Sequence, residues 1–484
     1  MKTKVLKNQK LINLYFTAFL TIMMGFSFPV IASGETYYIN SIDGNDSNNG
    51  TSQATAWKTI AKVNLLSFSP GDSILFNADN IFSGELDIKN SGSPGKPVTI
   101  SSYGNGRATI NAGNGNGIHW VNSSFAVVKN LNIYGSGVSN VGNGVFFENQ
   151  SGKTQQSILI DHVEAFDFGF INDTRLGCGI AVTGSSPYID ITIQNCSCHG
   201  NMELGIQVYG SKTNYFRKLI IQDCTANDNE GNPNFTGNWS GTGIFVAFTD
   251  SGLVQRCTTN SNGAKNQSTG GGPCGNFFWN CNNMILQYCI ACDNEDPTHS
   301  DGGGFDIDNG NNNTIQYCYS RNNVGPGFMI NSSHPHNATL RYNISENDCT
   351  SGHYAAMTVG PNNDAINNQV YNNIVYKPGG KVFSADTDGV PSEIQIFNNI
   401  FVGSTADWGK YTYGNNCYWG GITSLATDSN SINADPLFVN PGAGGDGFNT
   451  FDGYKHQSGS PCIGAGKVIS NNGGKDFWGN VLHS

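Results

Sequence analysis

Residues 299–313, HSDGGGFDIDNGNNN, place three carboxylic acids, Asp301, Asp306 and Asp308, on one short stretch. Asp306 and Asp308 are two apart in an alternating run, so on a strand they share a face with Cα atoms about 6.7 Å apart. Carboxyl groups ~6.5–9.5 Å apart suit inverting glycoside hydrolysis and ~5 Å suits the retaining kind, so this pair is compatible with either. Two like charges at that distance repel by about 2.5 kcal/mol at an effective dielectric of 20, nearly two pKa units. One carboxyl is then held protonated as the acid while its neighbour stays ionised as the base. The same three side chains, with nearby Asn and carbonyl oxygens, also suit Ca²⁺, although Gly310 stands at the wrong offset for an EF-hand loop. Asp-rich turns in Gly/Asn loops also cap turns without doing chemistry.

Other side chains that could serve a sugar cleft lie on neighbouring segments. Glu203 in NMELG and Glu230 in DNEGN lie near the start of their outward strands, and His353 stands at the offset of Asp301 in a later repeat. The catalytic candidates are therefore Asp306, Asp308, Asp301, Glu203 and His353. For substrate binding the sequence offers Arg321 and Arg341 as anion partners. Gln207, Asn331, His334 and His336 are polar contacts, and Tyr209, Phe245 and Trp279 are ring-stacking faces.

The element that must position these residues is a repeat. ITIQNC, LIIQDC, GLVQRC, MILQYC and NTIQYC end on Cys196, Cys224, Cys257, Cys289 and Cys318, at intervals of 28, 33, 32 and 29 residues. Leu131 and Val163 precede them in the column, and Asn343, Asn373 and Asn399 follow. Five residues on runs a second column of Asn201, Asn229, Asn262, Asn294, Asn323 and Asp348. Periods of this length mark solenoids. Short alternating runs punctuated by Gly, Asn and Asp are strands and tight turns, with no amphipathic helix between them. Recurring strands of one direction must stack in parallel. The fold class is all-β, a right-handed parallel β-helix. Within it a Gly–apolar–variable–apolar strand projects one stripe of Ala181, Gln207, Phe245, Asp306, Met329 and Thr358. A second stripe is Thr183, Tyr209, Ala247, Asp308 and Asn331. The Cys column fills inward bends, with free buried thiols as the first reading and bridges between adjacent coils as the alternative, and the Asn column forms an amide ladder. The Cys289-x-x-Cys292 pair is packing too, since no second pair stands at metal spacing.

Residues 1–33 read as a signal peptide, with Lys2, Lys4, Lys7 and Lys10, an apolar stretch to Pro29, and small residues at the exit. The expectation is a secreted or periplasmic chain with no membrane span after cleavage. Residues 34–484 form a single domain, with opening coils to about 120, regular coils about 121–403 and a closing segment about 404–484. A formal charge of -11 argues against nucleic acid as a partner. Nothing in the sequence fixes an oligomeric state.

YYINSIDGNDSNNGTSQATAWKTI, SPGDSILF and SGSPGKPVTISSYG resemble the opening coils of secreted bacterial parallel β-helix proteins, and INADPLFVNP and SGSPCIGAG resemble their closing segments. The pectate-lyase-like group and the β-helical endo-fucanases are the members in view, so the resemblance implies a polysaccharide substrate, acidic or sulfated, such as a sulfated fucan. DGGGFDIDN resembles the Ca²⁺-binding stretch of lyases that use a Lys base. Here no Lys occurs between Lys265 and Lys377. A carboxylate-based hydrolase that requires no cofactor is therefore the first expectation. A Ca²⁺-dependent lyase acting on a uronic-acid polymer is the alternative, and a noncatalytic carbohydrate-binding β-helix the third.

Overall fold

The computed structural model describes residues 34–169, 176–360, 366–385, 393–445 and 447–482. The signal-peptide reading falls on residues 1–33, outside them. Among the described residues no helix is long and apolar enough to cross a membrane.

The alternating runs of the sequence are parallel strands stacked coil upon coil, each pairing with its equivalent one repeat later. The coils present three faces. The first, here the site face, includes Ile180–Gly184, Leu204–Tyr209, Thr242–Ala247, Gly303–Asn311 and Phe328–His336. A second carries Tyr188–Gln194, Phe216–Gln222, Thr249–Gln255 and Thr314–Gln316, ending in a glutamine row. The third carries Ile290–Cys292, Tyr319–Arg321, Ile344–Glu346, Ile374–Tyr376, Ile400–Val402 and Cys417–Trp419. Inward residues of all three faces build one continuous core, in which Phe305 stacks on Phe328 at 5.1 Å.

The corners follow from two side-chain columns. Residues preceding the Cys/Asn column, such as Asn195, Asp223, Arg256, Tyr288, Tyr317 and Tyr342, have φ of 52–56°. Asp228, Asp293, Asn322 and Asn347 do the same before the ladder. A left-handed residue bends the chain sharply at a cost of roughly 1–2 kcal/mol when it is not Gly. Short amides and carboxyls tolerate it best. Where tyrosine takes it, the rings repay the cost by stacking, Tyr288 on Tyr317 at 5.0 Å and Tyr317 on Tyr342 at 5.5 Å.

The second column is a continuous amide ladder. Each Nδ2 donates to the Oδ1 of the next coil, from Asn201 to Asn229 (2.9 Å), Asn262 (2.9 Å), Asn294 (3.0 Å), Asn323 (2.7 Å) and finally Asp348 (2.7 Å). A parallel ladder continues the Cys column through Asn343, Asn373, Asn399 and Asn416 to Asp428. Cys196, Cys224, Cys257, Cys289 and Cys318 are buried free thiols along the core, and Cys292 is likewise free and buried. The closing segment lies across the third face as a strap. Phe438, Phe451 and Tyr454 pack there on an outer column of Ile290, Tyr319, Ile344 and Ile400.

Candidate active site

Asp306 and Asp308 lie on Gly303–Asn311 with Phe305 and Ile307 pointing into the core between and beside them, so both aspartates point outward. The strand register gives the outward stripes directly. One runs Ala181, Gln207, Phe245, Phe277, Asp306, Met329 and Thr358, and the other Thr183, Tyr209, Ala247, Trp279, Asp308 and Asn331. The stripes derived from the sequence skip the coil of Phe277 and Trp279, which belongs directly beneath the aspartates.

Outward does not mean exposed here. Asp306 is 1% exposed and Asp301 9%, whereas Asp308 is half-buried. Asp301 precedes the strand. Its Oδ2 accepts a 2.6 Å hydrogen bond from the Gly272 N–H, and its own N–H donates to Asp296 Oδ2 at 2.8 Å. Burial, and then the charge of Asp308, pushes the Asp301 carboxyl well above the usual carboxylate range. Burial does the same to Asp306, reinforced by the charges of Asp308 and Asp301. Asp306 Oδ1 is buried with no hydrogen-bond partner among the described residues. Asp296 behaves oppositely. Burial raises its pKa, but hydrogen bonds from the Asp301 N–H, Thr298, Asn266 and Ser300 outweigh it and hold it below its ordinary value. Asp296 is thus favoured as the anion behind Asp301, whose carboxyl is pushed toward the protonated form.

Two loops close over the stripes. The 268–273 loop, STGGGP, needs its glycine at 272, because a Cβ there would lie 2.4 Å from Asp296 Oδ2 and 2.9 Å from the Asp301 nitrogen. The 231–241 loop brings in Trp239, held in a left-handed conformation (φ 75°) by its N–H bond to the Gly271 carbonyl. Its ring stacks on Phe245 at 4.9 Å and leans on Trp279 at 4.5 Å. Tyr209 meets Trp279 at 6.3 Å. Phe245 and Phe277 are thereby buried as a small external core, while Tyr209, Trp239 and Trp279 form its partly open wall.

The remaining sequence candidates separate. Glu203 is fully buried and accepts from Ser240 Oγ at 2.6 Å, anchoring the loop that carries Trp239. Gln207 is nearly buried and receives the Cys178 thiol. His353 is exposed beside Tyr354, whose hydroxyl donates to the Ser300 carbonyl, so it stands at the rim near Asp301. Asn331 neighbours Asp308 directly, and exposed His334 lies past it, its N–H on Asn309 Oδ1, with His336 at the strand's end. The two arginines do not converge on the aspartates. Arg321 lies on the strap face, donating to the Gly444 carbonyl and 3.7 Å from Asp293. Arg341 lies on the glutamine face, bonded to Gln316, Tyr371 and the Asn471 carbonyl. A corner stands between each of them and the site. Glu230 pairs with Lys265. Sequence reasoning missed Trp239, Gly272, Asp296 and Tyr354. The Gly270–Gly272 run was the available signal for the first two.

Among the described residues no three His, Cys, Asp or Glu side chains are disposed to hold a metal ion.

Residues 171–375 match the family model of the right-handed β-helix region. The chain is a right-handed parallel β-helix. Over 93% of its length this β-helix is 26% identical to a lacto-N-biosidase of Bifidobacterium longum subsp. longum, spanning 36% of that protein's length. The crystal structure of GH136 lacto-N-biosidase from Eubacterium ramulus superposes with a TM-score of 0.58 at 18% identity, covering 83% of the β-helix and 68% of that chain. A pectate lyase aligns with a TM-score of 0.42 and 16% identity over 91% of this chain and 94% of that one.

Proposed function

We propose that this β-helix is an exported glycoside hydrolase in which Asp301 is the general acid and Asp308 the base or nucleophile. The observation that carries the reading is the gathering of three aspartates beside an aromatic wall, two of them buried and pushed toward the protonated form while Asp308 reaches solvent. Gly272 N–H occupies Asp301 Oδ2 and leaves Oδ1 to carry the proton. That proton passes to the glycosidic oxygen as the bond to the anomeric carbon breaks. Asp308, on the accessible end of the strand, acts at that carbon either directly or by taking a proton from the attacking water. Asp306 lies too deep to meet substrate, and beside Asp308 it is pushed toward its neutral form. Tyr209, Trp239 and Trp279 offer ring faces to a sugar.

The relative named lacto-N-biosidase supports hydrolysis over elimination, because its aligned region covers nearly the whole of this chain. Lys377, the first lysine after the cluster, is committed to the carbonyls of Asp348 and Cys349, which removes it as a lyase base. An acidic or sulfated substrate was implied by the family resemblance, with Arg321 and Arg341 as its anion partners, and both arginines are engaged on other faces, so an uncharged glycan is the favoured substrate. The test is incubation of the purified chain with an aryl lacto-N-bioside and with pectin, alginate and sulfated fucan. Hydrolysis without new ultraviolet-absorbing unsaturated ends, lost in Asp301→Asn and Asp308→Asn, is the expected result. Unsaturated products, or full activity in both variants, would overturn the assignment.

A further inference from the structure

Of thirteen cysteines, twelve are buried, and Cys462 alone is partly open. Cys417 opens the strand Cys417–Trp419, stacked on Ile400 and bridged to Ile432. Cys462 follows Pro461 in the strap, a segment tied down mainly by isolated bridges and side-chain packing rather than by the ladder register of the coils. The two cysteines pack in one cluster and line the same cavity of about 310 Å³ under the strap, where Asn415 Nδ2 donates to the Ala465 carbonyl at 3.0 Å and draws their two segments together. The Cys196–Cys318 stack, by contrast, is at most 2% exposed and lies wholly within the core, where no oxidant can approach.

We infer that Cys417 and Cys462 form a disulfide that staples the strap to the final coils of the helix. Cys417, whose thiol donates to the Ala434 carbonyl at 3.4 Å, holds its neighbour Cys462 below the ordinary thiol range, and Cys462 is the more open of the two, so it is the attacking thiolate, while Cys417 is raised by Cys462 and by burial. Cys462 Sγ attacks one sulfur of an oxidant disulfide and displaces the other as a thiolate. Cys417 then gives up its proton, attacks Cys462 Sγ and releases the second oxidant thiolate. Two electrons and two protons leave the pair and the oxidant disulfide becomes two thiols. The closed loop holds about 45 residues, long enough for the cross-link to restrict the unfolded chain appreciably.

The experiment treats the reduced full chain with oxidised glutathione, then alkylates under denaturing conditions. The expected result is a mass lower by two hydrogens, eleven of the thirteen thiols alkylated, and a reducible peptide joining Cys417 to Cys462. Oxidation should also slow proteolytic cleavage of the strap by about tenfold. Cys462→Ser and, separately, Cys417→Ser should abolish both the mass loss and the protection. Thirteen alkylated thiols after oxidation, a stable glutathione adduct on Cys462, or a bridge within the Cys196–Cys318 stack would overturn the inference.

Discussion

Asp348 ends the amide ladder, and replacing it with asparagine should stabilise the protein in a pH-dependent way. The carboxyl is fully buried and its pKa is pushed up to about 7 by that burial, against hydrogen bonds from Ser345 and Asn323 that act the other way. A carboxyl whose folded pKa lies above its unfolded value contributes stability that is whole below the unfolded pKa of 3.8 and is lost as pH rises toward 7. About three pKa units at 1.36 kcal/mol each is a loss of about 4 kcal/mol by pH 8. The uncharged amide of Asp348→Asn would escape it. The Oδ1 of that amide would accept from the Asn323 N–H and Nδ2 as Asp348 does now, at 3.0 and 2.7 Å. Its NH₂ group would meet Ser345 Oγ, as Asn323 Nδ2 meets Ser320 Oγ at 2.8 Å one rung below. Urea unfolding of both proteins at pH 4.5 and pH 8 tests this. Asp348→Asn should gain several kcal/mol at pH 8 and much less at pH 4.5. An equal gain at both pH values, or a loss at pH 8, refutes the argument that the buried charge is the source.

Asp301→Asn and Asp308→Asn should lower kcat by about 10²–10⁴-fold with the fold intact by circular dichroism, whereas Asp306→Asn should keep a measurable fraction because Asp306 is buried too deep to meet substrate. As pH rises through the elevated pKa of Asp301 the acid is lost, so kcat should fall on the alkaline side, and a profile flat there would contradict the acid assignment. Gly272→Ala should displace Asp301 and reduce kcat more than KM, measured by steady-state kinetics, since the added Cβ meets Asp296 and the Asp301 nitrogen. Asn262→Ala strips two buried donors of Asn229 of their acceptor and should cost about 3 kcal/mol in denaturant unfolding.

Spacing in the sequence revealed what translation along the helix repeats. The Asn ladder, the Cys column and the outward sense of Asp306 all follow from counting within a coil. Rotation around the helix was not legible in the same way. Arg321 and Arg341 each stand directly before a left-handed corner residue, Asn322 and Tyr342, and nothing in their spacing told on which side of it they project. The coil of Phe277 and Trp279 escaped because its Gly275 is followed by Asn276, a polar residue in an inward position, so the Gly–apolar pattern was broken. The burial of Asp306 depends on long loops whose composition carries no period. Trp239 arrives from one of them, and Glu203, read as a candidate acid, is the peg that holds it.

Both amide ladders end on a carboxylate, Asp348 in one and Asp428 in the other. An asparagine accepts through Oδ1 and hands a hydrogen bond onward through Nδ2, whereas an aspartate has no amide N–H to pass on. The two acids are thus full stops in a sentence of otherwise interchangeable words. Duplicating or deleting a coil between Asn201 and Asn323 preserves the grammar, whereas inserting one after Asp348 leaves two unlike fragments. Lineages that lengthen this rod should therefore do so upstream of the acids.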